Sequence, residues 1–287
     1  MVVYMDASYY YELLMHIVRL AVWLMGLVIL FVPLERFFAV HPHRLLRQEV
    51  MNDVGYYFLS SLFPAFLLSV PIAVVAWGAS RLVPDFVPEA MSSLPIWGRV
   101  AAAFVVGDLG YYWGHRWCHE IPFLWRFHAI HHSAENMDFL VHTRAHPLDM
   151  VFGRLCGLVP IFLLGLAGPT KFEGSLVPVV VNMIGVVWGF FIHANLRWRF
   201  GPLEWLISTP AFHHWHHTKT GAINRNFSAN LPLLDAIFGS LYLPKEWPAD
   251  YGIKTPMPRA MVDQLVDPLF PPLLPAQITA SEPEARA

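Results

Sequence analysis

Histidine is the residue type through which this chain could do chemistry. There are 15 in 287 residues, and most fall into boxes. His115 and His119 are four apart, and His128, His131 and His132 form an HxxHH pattern. His213-His214-Trp-His216-His217 contains a second HxxHH, and His193 stands alone in His193-Ala-Asn195. On a helix, residues at i, i+3 and i+4 share a face, so each box turns two or three imidazoles to one side. One HxxHH triple is more than a single metal ion needs, and two facing triples would bracket two ions. His193 can approach from a third direction. Imidazole suits iron, zinc, copper and nickel. An all-histidine shell is neutral, so carboxylates are expected to hold the ring N–H groups; Asp108, Glu120, Glu135, Asp149 and Asp235 are the candidates.

The other histidines read differently. His214 lies off the face shared by His213, His216 and His217. His142 is read as a supporting or structural residue, and His16, His41 and His43 as structural or solvated. Cys118 sits inside the first box but on another helix face, as a small buried residue. With Cys156 it forms no CxxC, so neither a disulfide framework nor a thiolate–zinc scaffold is expected.

The elements that must position these boxes are apolar. The chain is 56% hydrophobic and 14% charged, against about 25% charged in soluble domains. A net charge of −2 with no basic stripe excludes a nucleic-acid partner. Apolar segments run over residues 13–34, 54–78, 97–113, 148–168 and 174–194, near the about 20 residues a membrane-spanning helix needs. Arg99 and Asp108 interrupt the third, and Arg154 and Pro160 lie in the fourth. With five spans and the N-terminus outside, 14 of the 19 Lys and Arg residues fall inside, against Arg81 and Lys171 outside. That is the positive-inside pattern. Residues 114–147 and those after 195 then face the cytoplasm. The acidic start (Asp6, Glu12) predicts no cleavable signal peptide.

The fold expected is all-α: an integral membrane bundle of four to five spans with a cytoplasmic, histidine-rich helical cap. Residues 1–96 would be N-terminal spans and loops, 97–245 a catalytic domain, and 246–287 a Pro-rich tail that wraps the surface and then becomes disordered.

The boxes resemble the fatty acid hydroxylase superfamily, also called the sterol desaturase family, whose pattern is HxxxH, HxxHH and a second HxxHH in that order. The flanks are similar too: Phe123-Leu-Trp-Arg-Phe-His-Ala-Ile-His-His-Ser133, Arg144-Ala-His-Pro147, and Asn226 through Asp235-Ala-Ile-Phe-Gly239. The neighbouring acyl-CoA desaturases usually open with a longer HxxxxH. The resemblance covers roughly residues 100–245. It implies metal ligation by His115, His119, His128, His131, His132, His193, His213, His216 and His217, with His146 of the His-Pro element as a tenth ligand. It also implies two iron ions, which zinc can replace on purification, and O2 as co-substrate. Electrons would come from a separate protein such as a ferredoxin, a cytochrome b5-like protein or a reductase. The substrate would be a lipid (sterol, fatty acyl chain, sphingolipid or alkylglycerol) hydroxylated or desaturated at a C–H bond. Some members carry a further histidine four residues after the one at His193. Here that position is Arg197, so Asn195 or His146 fills the place or one metal keeps an open position.

Tyr111, Tyr112, Trp113, Trp188, Phe190 and Phe191 could line a lipid route, or simply sit at the bilayer interface. Three other readings compete. A zinc hydrolase would want HExxH, but His119-Glu120 is followed by Ile-Pro. A metal-binding or transport protein would hold ligands in mid-membrane, whereas these boxes sit at span ends. A degenerate, purely structural member would not need the boxes intact.

Overall fold

The computed structural model describes residues 7–44, 47, 49–167 and 176–270. Every regular element among them is helical, and one isolated bridge joins Thr218 to Tyr251. The helices are α1 (Ala7–Phe38), α2 (Val50–Leu82), α3 (Phe86–Ser92), α4 (Ile96–Glu120), α5 (Pro122–His132), α6 (Pro147–Leu163), α7 (Leu176–His193), α8 (Pro210–His216), α9 (Pro232–Ile237) and α10 (Met261–Val266). Lys171, Pro271, Pro272 and Pro275 lie outside the described residues.

Among the described residues, three helices are long and apolar enough to cross a membrane: Tyr10–Phe38, Val50–Leu82 and Leu176–His193. They leave large apolar side chains uncovered, among them Trp23, Phe66, Trp77 and Val187. A water-soluble chain would not tolerate so continuous an apolar surface; this is a membrane protein. The sequence expectation was four to five spans. The third and fourth expected segments are helical, but α4 carries Arg99, Asp108 and two histidines, and α6 has only 17 residues.

α4 and α6 pack together through small residues. A Cβ on Gly110 would collide with the backbone carbonyl of Cys156. One on Gly114 would lie 2.7 Å from the Cys156 Sγ, and one on Gly157 3.2 Å from the Gly107 carbonyl oxygen. Such glycine contacts let two backbones approach closely where lipid offers no hydrophobic drive for association.

The five long helices bring one end each to the same place. Arg197 N donates to Phe38 O across 2.8 Å, joining the ends of α7 and α1. The Glu35 carboxylate accepts from Phe139 N (2.9 Å) and Asn195 N (3.0 Å). The start of α2 is tied to the α5–α6 connection by a buried ion network: Arg47 pairs with Asp53 and Asp138, and Arg144 with Asp53. Arg144 is fully buried and also donates to Ile130 O at the end of α5. The positive-inside count treated Arg47 and Arg144 as charges on the solvent side; the structure buries both. Removing one partner of such a buried pair typically costs about 3–5 kcal/mol, because the other charge is left uncompensated.

Residues 246–270 return to the bundle. Tyr56 Oη donates to Gln264 Oε1 (2.9 Å), and Arg126 donates to Pro268 O (2.6 Å).

Candidate metal centre

Proline sets the start of three helices around the histidines. Pro122, Pro147 and Pro210 occupy first-turn positions of α5, α6 and α8, where the missing N–H costs nothing and φ is already helical. Thr209 caps α8 by accepting from Phe212 N.

Helices α4, α5, α7 and α8, with His217 at the end of α8, gather nine histidines into two buried groups. His115, His119, His128, His132 and His216 form one; His131, His193, His213 and His217 form the other. Within each group, one potential ligand atom per residue lies within 4.8 Å of every other. Each HxxHH box is divided between them. On α5, His128 and His132 (i, i+4) go to the first group and His131 to the second. In the last box His213 and His217 go to the second group and His216 to the first. Residues i and i+4 differ by about 40° around a helix, while i+3 lies about 100° from i+4, so one box faces two centres. His132 and His217 stack at the boundary with ring centroids 4.4 Å apart.

The ring nitrogens show what the groups are suited to hold. His115 Nδ1 contacts Phe227 O (2.6 Å), His128 Nδ1 the Asp149 carboxylate (3.0 Å), and His216 Nδ1 Arg225 O (2.8 Å). His119 Nδ1 contacts the Asn224 side-chain oxygen (3.1 Å), His131 Nδ1 Arg144 O (3.1 Å), and His193 Nδ1 Gly189 O (2.7 Å). All six partners are acceptors. A neutral imidazole has one N–H, so in these six rings it sits on Nδ1 and Nε2 carries a bare lone pair. Yet Nε2 atoms face one another: His115 and His128 at 3.1 Å, His131 and His193 at 3.3 Å. The Nε2 atoms of His119 and His216 are buried with no partner among the described residues. Burial first, and neighbouring histidines second, hold His128, His132, His213 and His217 well below the usual imidazole range. The rings therefore stay neutral and take up no second proton, which leaves their lone pairs available to metal cations.

The family model for fatty acid hydroxylase matches residues 100–240, which contain all nine of these histidines. The chain belongs to the fatty acid hydroxylase superfamily. It is 32% identical over 225 residues to an ornithine lipid hydroxylase of Rhizobium tropici, covering 76% of this chain and 65% of that one. It is 30% identical over 155 residues to an alkylglycerol monooxygenase of Xenopus tropicalis, covering 54% of this chain and 32% of that one. A very-long-chain aldehyde decarbonylase of Arabidopsis thaliana is 29% identical over 167 residues, covering 55% of this chain and 26% of the relative. The chain thus spans about two thirds of the first relative and a third or less of the other two. No solved structure matches.

In this superfamily member the His-Pro element serves a different end from the boxes. His146 Nδ1 accepts from Leu148 N (3.1 Å) as the N-cap of α6, and its Nε2 meets Leu265 O (3.2 Å). The structure does not bring it into either group. Asn195 is also engaged elsewhere: its side-chain oxygen accepts from Val40 N (2.9 Å), and its amide donates to His41 O (2.8 Å). His214 lies between Tyr251 Oη (2.9 Å) and Ala194 O (3.0 Å), off the shared face as its spacing predicts.

Of the five carboxylates proposed as supports, Asp149 touches a ring. Asp108 accepts from Leu231 N (2.8 Å), Glu120 pairs with Arg116, and Glu135 lies near Lys219. Asp235 accepts from Phe227 N (2.7 Å) and from both N and Oγ of Ser228. It shapes the loop over residues 224–228 that offers three acceptors to the first group. Asn224 and Asn226 sit in that loop at φ 58° and 59°, a left-handed region that asparagine tolerates better than most residues. Sequence reasoning missed Asn224 as a histidine partner; an asparagine two residues before another in a short loop was its only signal. Cys118 is buried and its thiol donates to Asp149 (3.6 Å).

Proposed function

We propose that this chain is a membrane-bound di-iron oxygenase. It takes O2 and electrons from a separate redox protein and oxidises a lipid C–H bond, by hydroxylation or desaturation. The observation that carries this reading is the convergence of bare Nε2 lone pairs in two adjacent buried groups, at the shared end of a bundle of apolar helices. The relatives, named as a lipid hydroxylase and a monooxygenase, support the direction of the chemistry.

In this reading the five rings of the first group and the four of the second each hold one iron ion, and zinc can take the same places. Two bound irons supply the capacity to reduce O2 and oxidise an unactivated C–H bond. The chain's own contribution is position and dryness. Six ring N–H groups are fixed by acceptors, which aims the lone pairs, and all nine rings are buried. The four-ring group, one ring smaller than the other, would leave room at its ion for O2 or substrate. α4 and α6 cross the bilayer as a pair beside the three apolar spans, the N-terminus lies outside, and the histidine end faces the cytoplasm.

The test is metal analysis of detergent-purified protein from iron-supplemented cells, with a His131→Ala/His216→Ala double variant alongside. About two irons per chain, lost in the variant, with an added oxygen or a lost hydrogen pair in cellular lipids, is the expected outcome. Metal content unchanged by the substitutions would overturn the reading. Metal bound without any O2-dependent lipid product would instead favour a binding or transport role.

A further inference from the structure

Arg154 lies on α6 seven residues after Pro147, about 10 Å along the axis from the histidine end at 1.5 Å per residue. Helical side chains tilt toward their own N-terminus, which here means toward the histidines. Arg154 shares a face with Ile161, seven residues on, which is buried beside Val177 of α7. Its neighbour Gly153 lies against the Tyr111 ring of α4, a Cβ there falling 3.2 Å from that ring. Arg154 thus faces the seam where α4, α6 and α7 meet.

It is half-buried there and makes no hydrogen bond or ion pair with any described residue. The contrast with Arg47 and Arg144, each set against buried carboxylates, is direct. A charged side chain at such depth is expensive unless it meets a partner or a ligand.

Two more polar groups without hydrogen-bond partners among the described residues border the same seam. Tyr111 packs its ring 5.4 Å from that of His115 in the first group. His142, on the 3₁₀ turn Phe139–Thr143, packs 5.3 Å from His193 in the second group. Its ring fills the space a side chain at Gly189 would need.

We propose that Arg154 anchors the anionic oxygen group, a carboxylate or a phosphate, of the lipid this site receives, with Tyr111 and His142 as hydrogen-bonding neighbours. What is done to that lipid rests on the oxygenase reading; that it binds does not. The apolar tail lies along the helices, and the acid group is held close to both histidine groups. Uncharged lipids of the same chain length then bind more weakly.

The experiment measures binding of four probes to the full chain in neutral detergent: oleate, oleoyl lysophosphatidate, oleyl alcohol and mono-olein. Wild type, Arg154→Lys, Arg154→Gln and, as a control for exposed arginines, Arg81→Gln are compared. Wild type is expected to favour at least one anionic probe over its uncharged counterpart by about tenfold or more, the scale of a charge-assisted hydrogen bond. Preference for oleate alone identifies a carboxylate source, and for lysophosphatidate alone a phosphate source. Arg154→Gln is expected to erase the preference, while Arg154→Lys retains most of it and Arg81→Gln all of it. Equal binding of charged and uncharged probes by wild type, or a preference that survives Arg154→Gln, overturns the proposal. If Arg154→Gln does not fold, wild type and Arg154→Lys still decide it, since a preference absent from wild type or lost in the cationic variant is against it. Metal content of each sample separates the two readings. Preference without metal leaves the anchor standing and removes the oxygenase; metal without preference does the reverse.

Discussion

The Nε2 atoms of His131 and His193 face each other across 3.3 Å. Each ring has already committed its N–H, His131 to the carbonyl of Arg144 and His193 to that of Gly189. Two lone pairs at that separation repel unless a donor or a cation lies between them, and a metal ion answers several such pairs at once. The same relation recurs between His115 and His128 at 3.1 Å, which makes it a property of both groups.

The division into five and four rings predicts separable losses. His119→Ala/His216→Ala is expected to remove one metal equivalent and His213→Ala/His217→Ala the other, read by elemental analysis of purified protein. Both equivalents lost in each variant would mean that the groups load as a unit.

Asp149 and His146 are expected to behave in opposite ways. Asp149→Asn weakens the hold on the His128 ring and is expected to lower metal affinity about 10- to 100-fold. His146→Ala removes a helix cap, costing about 1 kcal/mol, and is expected to leave metal content at the wild-type level. Competition with a chelator reads the first and thermal unfolding the second. Metal lost from His146→Ala at unchanged stability would restore it as a tenth ligand.

The buried rings also set a pH dependence. His128, His131, His132, His213, His216 and His217 are all held well below their ordinary value, whereas in the unfolded chain they titrate near about 6.5. Below that pH the unfolded state binds protons that the folded state refuses. Stability of the metal-free protein is therefore full above about pH 6.5 and falls with acidification, by up to about 1.4 kcal/mol per pH unit for each such ring. Bound metal competes with the same protons, so its affinity falls in the same direction. Thermal melts of chelated protein from neutral to mildly acidic buffer check this; a flat profile would contradict it.

The α4–α6 seam depends on Gly110. A methyl there meets the rigid Cys156 carbonyl, and Gly110→Ala is expected to cost about 1–3 kcal/mol as overpacking. Gly185→Ala on α7, with nothing within 4 Å of the added atom, is expected to be neutral or slightly stabilising. Thermal unfolding of the two variants side by side tests the contrast.

The clustering of the histidines was legible in the sequence because it rests on local periodicity. The i, i+3, i+4 spacing of His128, His131 and His132 fixes which way the rings leave α5, whatever α5 packs against. The same holds for His214, whose position alone removes it from the shared face. The apolar runs that became α1, α2 and α7 are likewise local, and they determine an all-helical membrane chain. The tertiary structure decided the rest, because spacing sets the face of a helix and not the neighbour it meets. His115 finds its acceptor at Phe227 and His119 at Asn224, more than 100 residues away in each case. Five acidic residues were equally plausible supports until the packing of α4, α5 and α6 put Asp149 beside His128. His146 carried the right motif, but its own helix took its ring as a cap. Arg47 and Arg144 counted as solvent charges until the fold set them against Asp53 and Asp138, and Arg154 gained its meaning only where three helices met around it.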